Sequence, residues 1–204
     1  AALVEAMELK NYEFNAHGVE LGQFYESAAI VPDGSARPAP SRDPELYYQP
    51  STVPGSRLPH AWVGDNRHKV STLDLAPVTR FTLLTGIAGE AWVSAAEKVG
   101  HDLGVPVQAV VIGPGREVTD IYFDWARLRE VAEDGALLIR PDKHIGWRSA
   151  TLPGDPEGAL RAAMASLLCL EPALGQEPAL GAEPALGAEP ALGAEPTLGQ
   201  EAGS

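Results

Sequence analysis

Proline and glycine divide this chain before any other feature does. From Glu171 the sequence runs EPALGQ, EPALGA, EPALGA, EPALGA, EPTLGQ and EAGS, with a proline and a glycine in every full hexad. Proline removes a backbone donor and glycine loosens the backbone, so neither helix nor sheet propagates across a unit. One leucine per hexad buries too little area to offset the entropy of ordering. Residues 171–204 are therefore expected to form a disordered repeat tail. A second concentration, Pro32, Pro38, Pro40, Pro44, Pro50, Pro54 and Pro59, marks residues 32–60 as a Pro-rich connector, irregular, extended and mostly exposed. Residues 1–31 and 61–170 remain to build regular structure.

Charge excludes two classes of partner. The formal net charge is −13, and taking away the six glutamates of the tail leaves −7 for residues 1–170. Nucleic-acid binding needs clustered Lys and Arg against phosphates, so no nucleic acid is expected, and an anionic membrane surface is disfavoured for the same reason. No run of 18 apolar residues is present, so no membrane span is expected. No secretory signal is expected, and Cys169 is the single cysteine, which excludes an internal disulfide and fits a reducing cytoplasm. Ala1–Phe14 is rich in helix formers and reads as the end of a helix, so the sequence is expected to begin mid-protein.

Residues 61–170 alternate strand and helix. Tyr25–Val31 is a possible short strand ahead of the connector. Val70–Leu75 alternates as a strand, and Arg80–Gly86 reads as a buried one. Ala88–Gly104 places Ala91, Trp92, Ala95, Ala96, Val99 and Leu103 on one face of a helix closed by Gly104. Val105–Gly113 is a continuous apolar run, as in a central strand. Asp124–Gly135 predicts a helix with Asp124 as its cap, Ala136–Ser149 a hairpin, and Asp155–Cys169 a helix with Pro156 in its first turn. This order predicts an α/β fold of thioredoxin-like type: a central mixed sheet with helices on both faces.

The chemistry usual for that fold is missing. The start of its first helix, where a Cys-x-x-Cys would sit, reads Thr85 to Trp92 without a cysteine, so redox exchange is excluded. Cys169 stands among Leu167, Leu168 and Leu170 and reads as a buried, inert thiol. The Gly113–Val118 turn, GPGREV, lacks a third glycine and a phosphate-binding lysine, and Thr119–Tyr122 looks extended, which argues against a dinucleotide site. His17, His60, His68, His101 and His144 have no metal-ligand spacing. No catalytic residue and no metal ligand is assigned, and cofactor-binding residues stay open. Arg140 and Arg148 on the two hairpin arms, beside Trp147, are expected to pair with carboxylates while Trp147 packs.

Four stretches carry a resemblance: YYQPSTVPGSRLPHAWV (Tyr47–Val63), STLDL (Ser71–Leu75), RFTLLTG (Arg80–Gly86) and LLIRPDKHIGWR (Leu137–Arg148). Together they resemble the carboxyl-terminal third of flavin-dependent aromatic hydroxylases of the phenol hydroxylase type, especially the dichlorophenol monooxygenases. The likeness runs from about Leu9 to about Leu170, and its most specific parts are PG-x-R-x-PH-x-W (Pro54 to Trp62) and the RPD…WR hairpin. It implies that residues 1–31 are the end of a flavin/substrate domain region, that Tyr47–Pro59 within the 32–60 connector straps across it, and that 61–170 are a thioredoxin-like domain without redox cysteines. It implies an enzyme that uses FAD, NADPH and oxygen to hydroxylate phenols or chlorophenols, whose main cofactor motifs lie outside this chain. The flavin/substrate domains of the same protein, and a possible homo-oligomer, would be the partners. A stand-alone thioredoxin-like interaction module is the alternative, and a ligand groove around Tyr47, Tyr48 and Trp62 a third reading. Two positions depart from the family. Lys143 stands where its hairpin turn has glycine, and Phe24 where it has arginine.

Overall fold

The computed structural model describes residues 2–170. Helix α1 (Ala2–Phe14) and the short α2 (His17–Leu21) precede the connector. Strands β1 (Trp62–Asp65) and β2 (His68–Ser71) form a hairpin, followed by β3 (Phe81–Thr85), α3 (Ala91–Leu103), β4 (Val107–Val111), β5 (Val118–Asp120), α4 (Asp124–Leu128), β6 (Ala136–Ile139), β7 (Ile145–Ser149) and α5 (Pro156–Leu167). The central sheet has the order β4-β3-β6-β7, with β3 parallel to β4 and the other pairs antiparallel. A βαβ crossover followed by a hairpin and a returning helix is the thioredoxin-like arrangement.

Side chains alternate between the two faces of each strand, and the core divides accordingly. Leu83 of β3 and Leu138 of β6 join Trp92, Val99, Leu160 and Met164 under α3 and α5. Leu84, Leu137 and Ile139 join Val63, Ile112 and Trp125 on the opposite face. That second face carries α4 and a second sheet of order β2-β1-β5, which the alternation pattern had not revealed. Three of the predicted elements, the Arg80–Gly86 strand, the α3 helix and the closing helix, hold nearly to their ends. Gly104 ends α3 in the left-handed conformation (φ 65°), and the Asp155 carboxylate caps α5 by accepting from the Gly158 N–H.

Six expectations are corrected. The Val105–Gly113 run forms β4, the half-buried terminal strand of its sheet rather than a central one. The Val70–Leu75 strand ends at Ser71, because the Asp74 carboxylate accepts from the Ser71 N–H at 2.8 Å and folds the following residues into a turn. Tyr25–Val31 is no strand: Phe24 alone bridges Ser56, and Ile30 turns back on Ser27. The Asp124–Gly135 helix stops at Leu128, and its cap is Phe123, held at φ 57°, rather than Asp124. It stops because Glu130, at φ 54°, reaches back to the connector, and this tertiary anchor overrides helix propensity. The connector is exposed over Pro32–Glu45 but buried over Ser51–Val53 and mostly buried to Pro59. Finally, Cys169 is exposed, in a left-handed turn just past α5 (φ 51°), and is not a core thiol.

The buried part of the connector is held by backbone pairing. Gly55 N–H donates to Ile145 O, Ile145 N–H to Ser56 O, and Leu58 N–H to Lys143 O, all within 2.9 Å. Residues 55–58 thus line the start of β7 as an added strand. Gly55 is needed there: its φ is 99°, and a Cβ would stand 2.3 Å from the Tyr25 carbonyl oxygen. Gly55→Ala is expected to destabilise the chain by more than about 1 kcal/mol, since strain and a backbone clash coincide. Thermal unfolding indistinguishable from the parent would show that the connector does not dock this way.

Candidate docking surface

The hairpin that drew attention in the sequence turns out to be a clip. Arg140 N–H donates to His144 O and Lys143 N–H to Arg140 O, which closes a turn over Pro141 and Asp142. Lys143 takes the left-handed conformation that the family fills with glycine (φ 66°), and its ammonium donates to Leu73 O at 2.8 Å. The side-chain bond is set against a left-handed strain of about 1–2 kcal/mol. At Phe24, the other departure, Arg37 stacks on the ring at 5.1 Å, and the ring packs where a Gly55 side chain would stand.

Arg148 is the centre of the clip. Its Nε donates to Asp33 Oδ2 at 2.5 Å, Nη2 to Ser35 Oγ at 2.9 Å, and Nη1 to Thr52 Oγ1 and Glu130 Oε2, each at 3.1 Å. The same Glu130 oxygen accepts from the Thr52 N–H and the Ser51 hydroxyl, while Thr52 Oγ1 donates to Arg129 O at 2.7 Å. One guanidinium thus ties both ends of the connector to β7 and to the segment after α4. Burial pushes the Asp33 carboxyl up, but hydrogen bonds from Arg148 and from the amide and hydroxyl of Ser35 outweigh it and hold the group below its ordinary value. Arg140 makes a second tie, donating to Ala29 O at 2.6 Å and pairing with Asp142 at 2.8 Å. Val31 N–H donates to Gly146 O between them. The sequence anticipated carboxylate partners for both arginines. It did not anticipate Asp33, Thr52 and Glu130, because they lie 115, 96 and 18 residues from Arg148 with no motif to join them.

Apolar side chains are also exposed on α1, and two clefts open beside the connector. Helix α1 buries no residue, and Leu3, Val4, Met7, Leu9 and Phe14 are each more than half exposed. A cleft of about 400 Å³ opens between Phe24, Tyr25, Ile30, Pro32 and Val53, and a second of about 260 Å³ between Gly18, Arg37, Pro44 and Tyr47. Tyr47 carries Arg42 on its ring, whereas Trp62 lies on the small sheet against His60 and beneath Lys69. The single groove around Tyr47, Tyr48 and Trp62 is thereby replaced by two separate surfaces.

The other candidate chemistry resolves into structure. Gly113–Val118 leads into β5 rather than into a helix, Arg116 pairs with Glu90 at 2.9 Å, and Ile87 fills the space beside Gly113. His144 is 4% exposed, packed on the Tyr25 ring, with Nδ1 3.2 Å from Asp142 O. Among the described residues no group of three or more His, Cys, Asp or Glu is placed to hold a metal, and no helix is long and apolar enough to cross a membrane.

Comparison with known proteins gives a consistent result. Residues 51–169 match the family described as aromatic-ring hydroxylase, C-terminal. The chain is 58% identical over 160 residues to phenol 2-monooxygenase of Pseudomonas sp. (strain EST1001), covering 78% of this chain and 26% of that protein. It is 49% identical over 168 residues to 2,4-dichlorophenol 6-monooxygenase of Delftia acidovorans, covering 82% and 29%. Among solved structures, the flavin-dependent monooxygenase PieE in complex with FAD and substrate superposes with a TM-score of 0.75 at 49% identity, over 82% of this chain and 29% of that one. The chain thus spans between a quarter and a third of the length of these relatives. The family match begins at Ser51, where the connector becomes buried, and takes in the hairpin with Arg140 and Arg148 and their partners Thr52 and Glu130, whereas Asp33 and Ser35 precede it. On these grounds the chain belongs to the aromatic-ring hydroxylase C-terminal family.

Proposed function

We propose that this chain is the carboxyl-terminal part of an FAD-dependent monooxygenase that hydroxylates phenols or chlorophenols with NADPH as reductant, and that it supplies a structural domain docked on the flavin and substrate domains of the same protein. The observation that carries the docking is α1, a thirteen-residue helix with no buried residue and a run of exposed apolar side chains. Exposed apolar patches beyond a few hundred Å² mark interaction sites. Likeness to phenol and dichlorophenol monooxygenases supports the substrate class, and PieE, bound to FAD, supports the cofactor. Flavin would supply the oxygen chemistry from outside this chain. Within it, Arg148 and Arg140 hold residues 29–53 against the domain so that the apolar segment before them is presented in a fixed place. A single cysteine fits a cytoplasmic enzyme.

The test is a chimera in which this chain replaces the matching carboxyl-terminal part of the Pseudomonas phenol 2-monooxygenase. It is expected to bind FAD, to oxidise NADPH in a phenol-dependent way, and to slow hydrogen exchange across Ala2–Phe14 relative to the chain alone. A folded, FAD-loaded chimera with no phenol turnover, or with α1 exchanging as it does in the isolated chain, would sink this reading.

A further inference from the structure

Arg57 lies inside the PG-x-R-x-PH-x-W motif, and the clip makes no use of it. Five arginines are half-buried: Arg57, Arg129, Arg140, Arg148 and Arg161. Four of them pair with carboxylates, Arg129 with Glu133, Arg140 with Asp142, Arg148 with Asp33 and Glu130, and Arg161 with Asp102 and Glu157. Among the described residues the Arg57 guanidinium has neither an ion pair nor a hydrogen bond. Its position is nonetheless fixed. Ser56 and Leu58 on either side bond to Ile145 and Lys143, and Arg57 stands directly opposite His144. Cross-strand partners send their side chains to the same face. Arg57 therefore shares a face with His144 and with the Tyr25 ring stacked on it at 4.5 Å. Tyr25 also lines the cleft of about 400 Å³. Tyr48 joins the group. Burial pushes its phenol up, and Arg57 is near enough for its charge to oppose that rise. The Tyr48 hydroxyl, too, lacks a hydrogen-bond partner among the described residues.

We infer that Arg57 is the charged anchor of the docking surface, where it takes a carboxylate side chain of the flavin and substrate part of the same protein, with the Tyr48 hydroxyl as a second donor. The inference rests on the docking reading given above. Three features select a carboxylate. The guanidinium fork matches the two oxygens of a carboxylate, which is how this chain satisfies each of its other half-buried arginines. A cofactor phosphate would bring more negative charge to a surface where Glu26 lines the adjoining cleft and residues 1–170 already carry −7. Finally, arginine and tyrosine beside an apolar cleft are the residue types that anchor interfaces, because the apolar rim keeps water from the pair.

The chimera with the Pseudomonas phenol 2-monooxygenase tests it, with Arg57→Gln and Arg57→Glu made there and in the isolated chain. In the isolated chain Arg57→Gln is expected to unfold within about 1 °C of the parent, because it breaks no internal bond. In the chimera it is expected to speed hydrogen exchange across Tyr47–Pro59 at least about tenfold, as loss of one partner of an interfacial charge pair does. Arg57→Glu should speed it further, since a carboxylate partner repels the new charge. Tyr48→Phe should speed it about threefold, the worth of one neutral hydrogen bond. A chimera in which Arg57→Gln exchanges as the parent does overturns the inference and leaves the docking of α1 standing. A parent chimera in which Ala2–Phe14 exchanges as in the isolated chain overturns the docking reading and this inference with it. Equal effects of Arg57→Gln and Arg57→Glu overturn the carboxylate. Loss of FAD with Tyr47–Pro59 still protected assigns Arg57 to the cofactor phosphates and also overturns it. So does an isolated Arg57→Gln chain that unfolds several degrees early, because Arg57 is then an internal support.

Discussion

Arg148→Ala is expected to destabilise the chain by about 2–3 kcal/mol, less than the roughly 3–5 kcal/mol that breaking a fully buried ion pair costs. The arginine side chain is only 10% exposed, and its removal leaves Asp33 and Glu130 facing one vacated space at 21% and 34% exposure. Partial exposure of the two carboxylates sets the discount from the fully buried case. For a domain of this size the loss amounts to about 5–10 °C in unfolding temperature. Acid should distinguish charge from packing. In the parent, Asp33 titrates below its unfolded value of about 3.9. Its contribution is therefore complete above that pH and is lost as pH falls through the folded value. In the variant burial of Asp33 is opposed only by the amide and hydroxyl of Ser35, and protonation relieves the unpaired charge. The stability gap between parent and variant should consequently narrow as pH falls below about 4. A gap that stays constant with pH would assign the effect to lost packing of the arginine stem. Unfolding within about 1 °C of the parent would mean that the clip contributes nothing.

How much of this was legible beforehand depends on what kind of signal each feature leaves. Arg80–Gly86 and Ala88–Gly104 are strongly periodic and closed by glycine, and the structure places β3 and α3 inside them. The second sheet left almost no trace, because Val118–Asp120 is three residues long and its partner Trp62–Asp65 alternates over only four. Short strands are set by tertiary pairing more than by pattern. The connector misled for a related reason. Proline at 50, 54 and 59 argues against regular structure, yet the N–H groups used at Gly55 and Leu58 fall between the prolines. Cys169 misled because apolar neighbours in sequence say nothing about a residue that falls past the last helical turn. The candidate site was legible only in part. Arg140 and Arg148 stood out by their placement on two arms of one hairpin, whereas Asp33, Thr52 and Glu130 are joined to them by folding alone. The repeat tail lies outside the described residues.

Trp92→Ala is expected to have the largest effect of any single change considered, a loss of about 3–5 kcal/mol. From the sequence, Trp147 was the tryptophan expected to be buried at the hairpin. The structure leaves it half-buried and seals Trp92 instead, at 0% exposure. Trp92 begins the apolar stripe of α3, and its ring meets the edge of Trp147 at 5.7 Å with planes 74° apart. Its indole N–H donates to the Asp134 carbonyl oxygen at 2.8 Å, tying the first turn of α3 to the loop that enters β6. Removing the ring therefore opens a large cavity beneath the sheet, leaves one carbonyl without its donor and takes away half of an aromatic pair. Trp92→Phe keeps most of the volume and isolates the hydrogen bond, so a smaller loss of about 1–2 kcal/mol is expected there. Trp147→Ala, from a half-exposed position, should cost about 2 kcal/mol. The double variant should lose less than the two single changes added together, because the ring pair is counted in each. Equilibrium denaturation of the four variants against the parent measures all of these. A loss at Trp147→Ala equal to or greater than that at Trp92→Ala would show that the hairpin tryptophan, and not α3, anchors this half of the core.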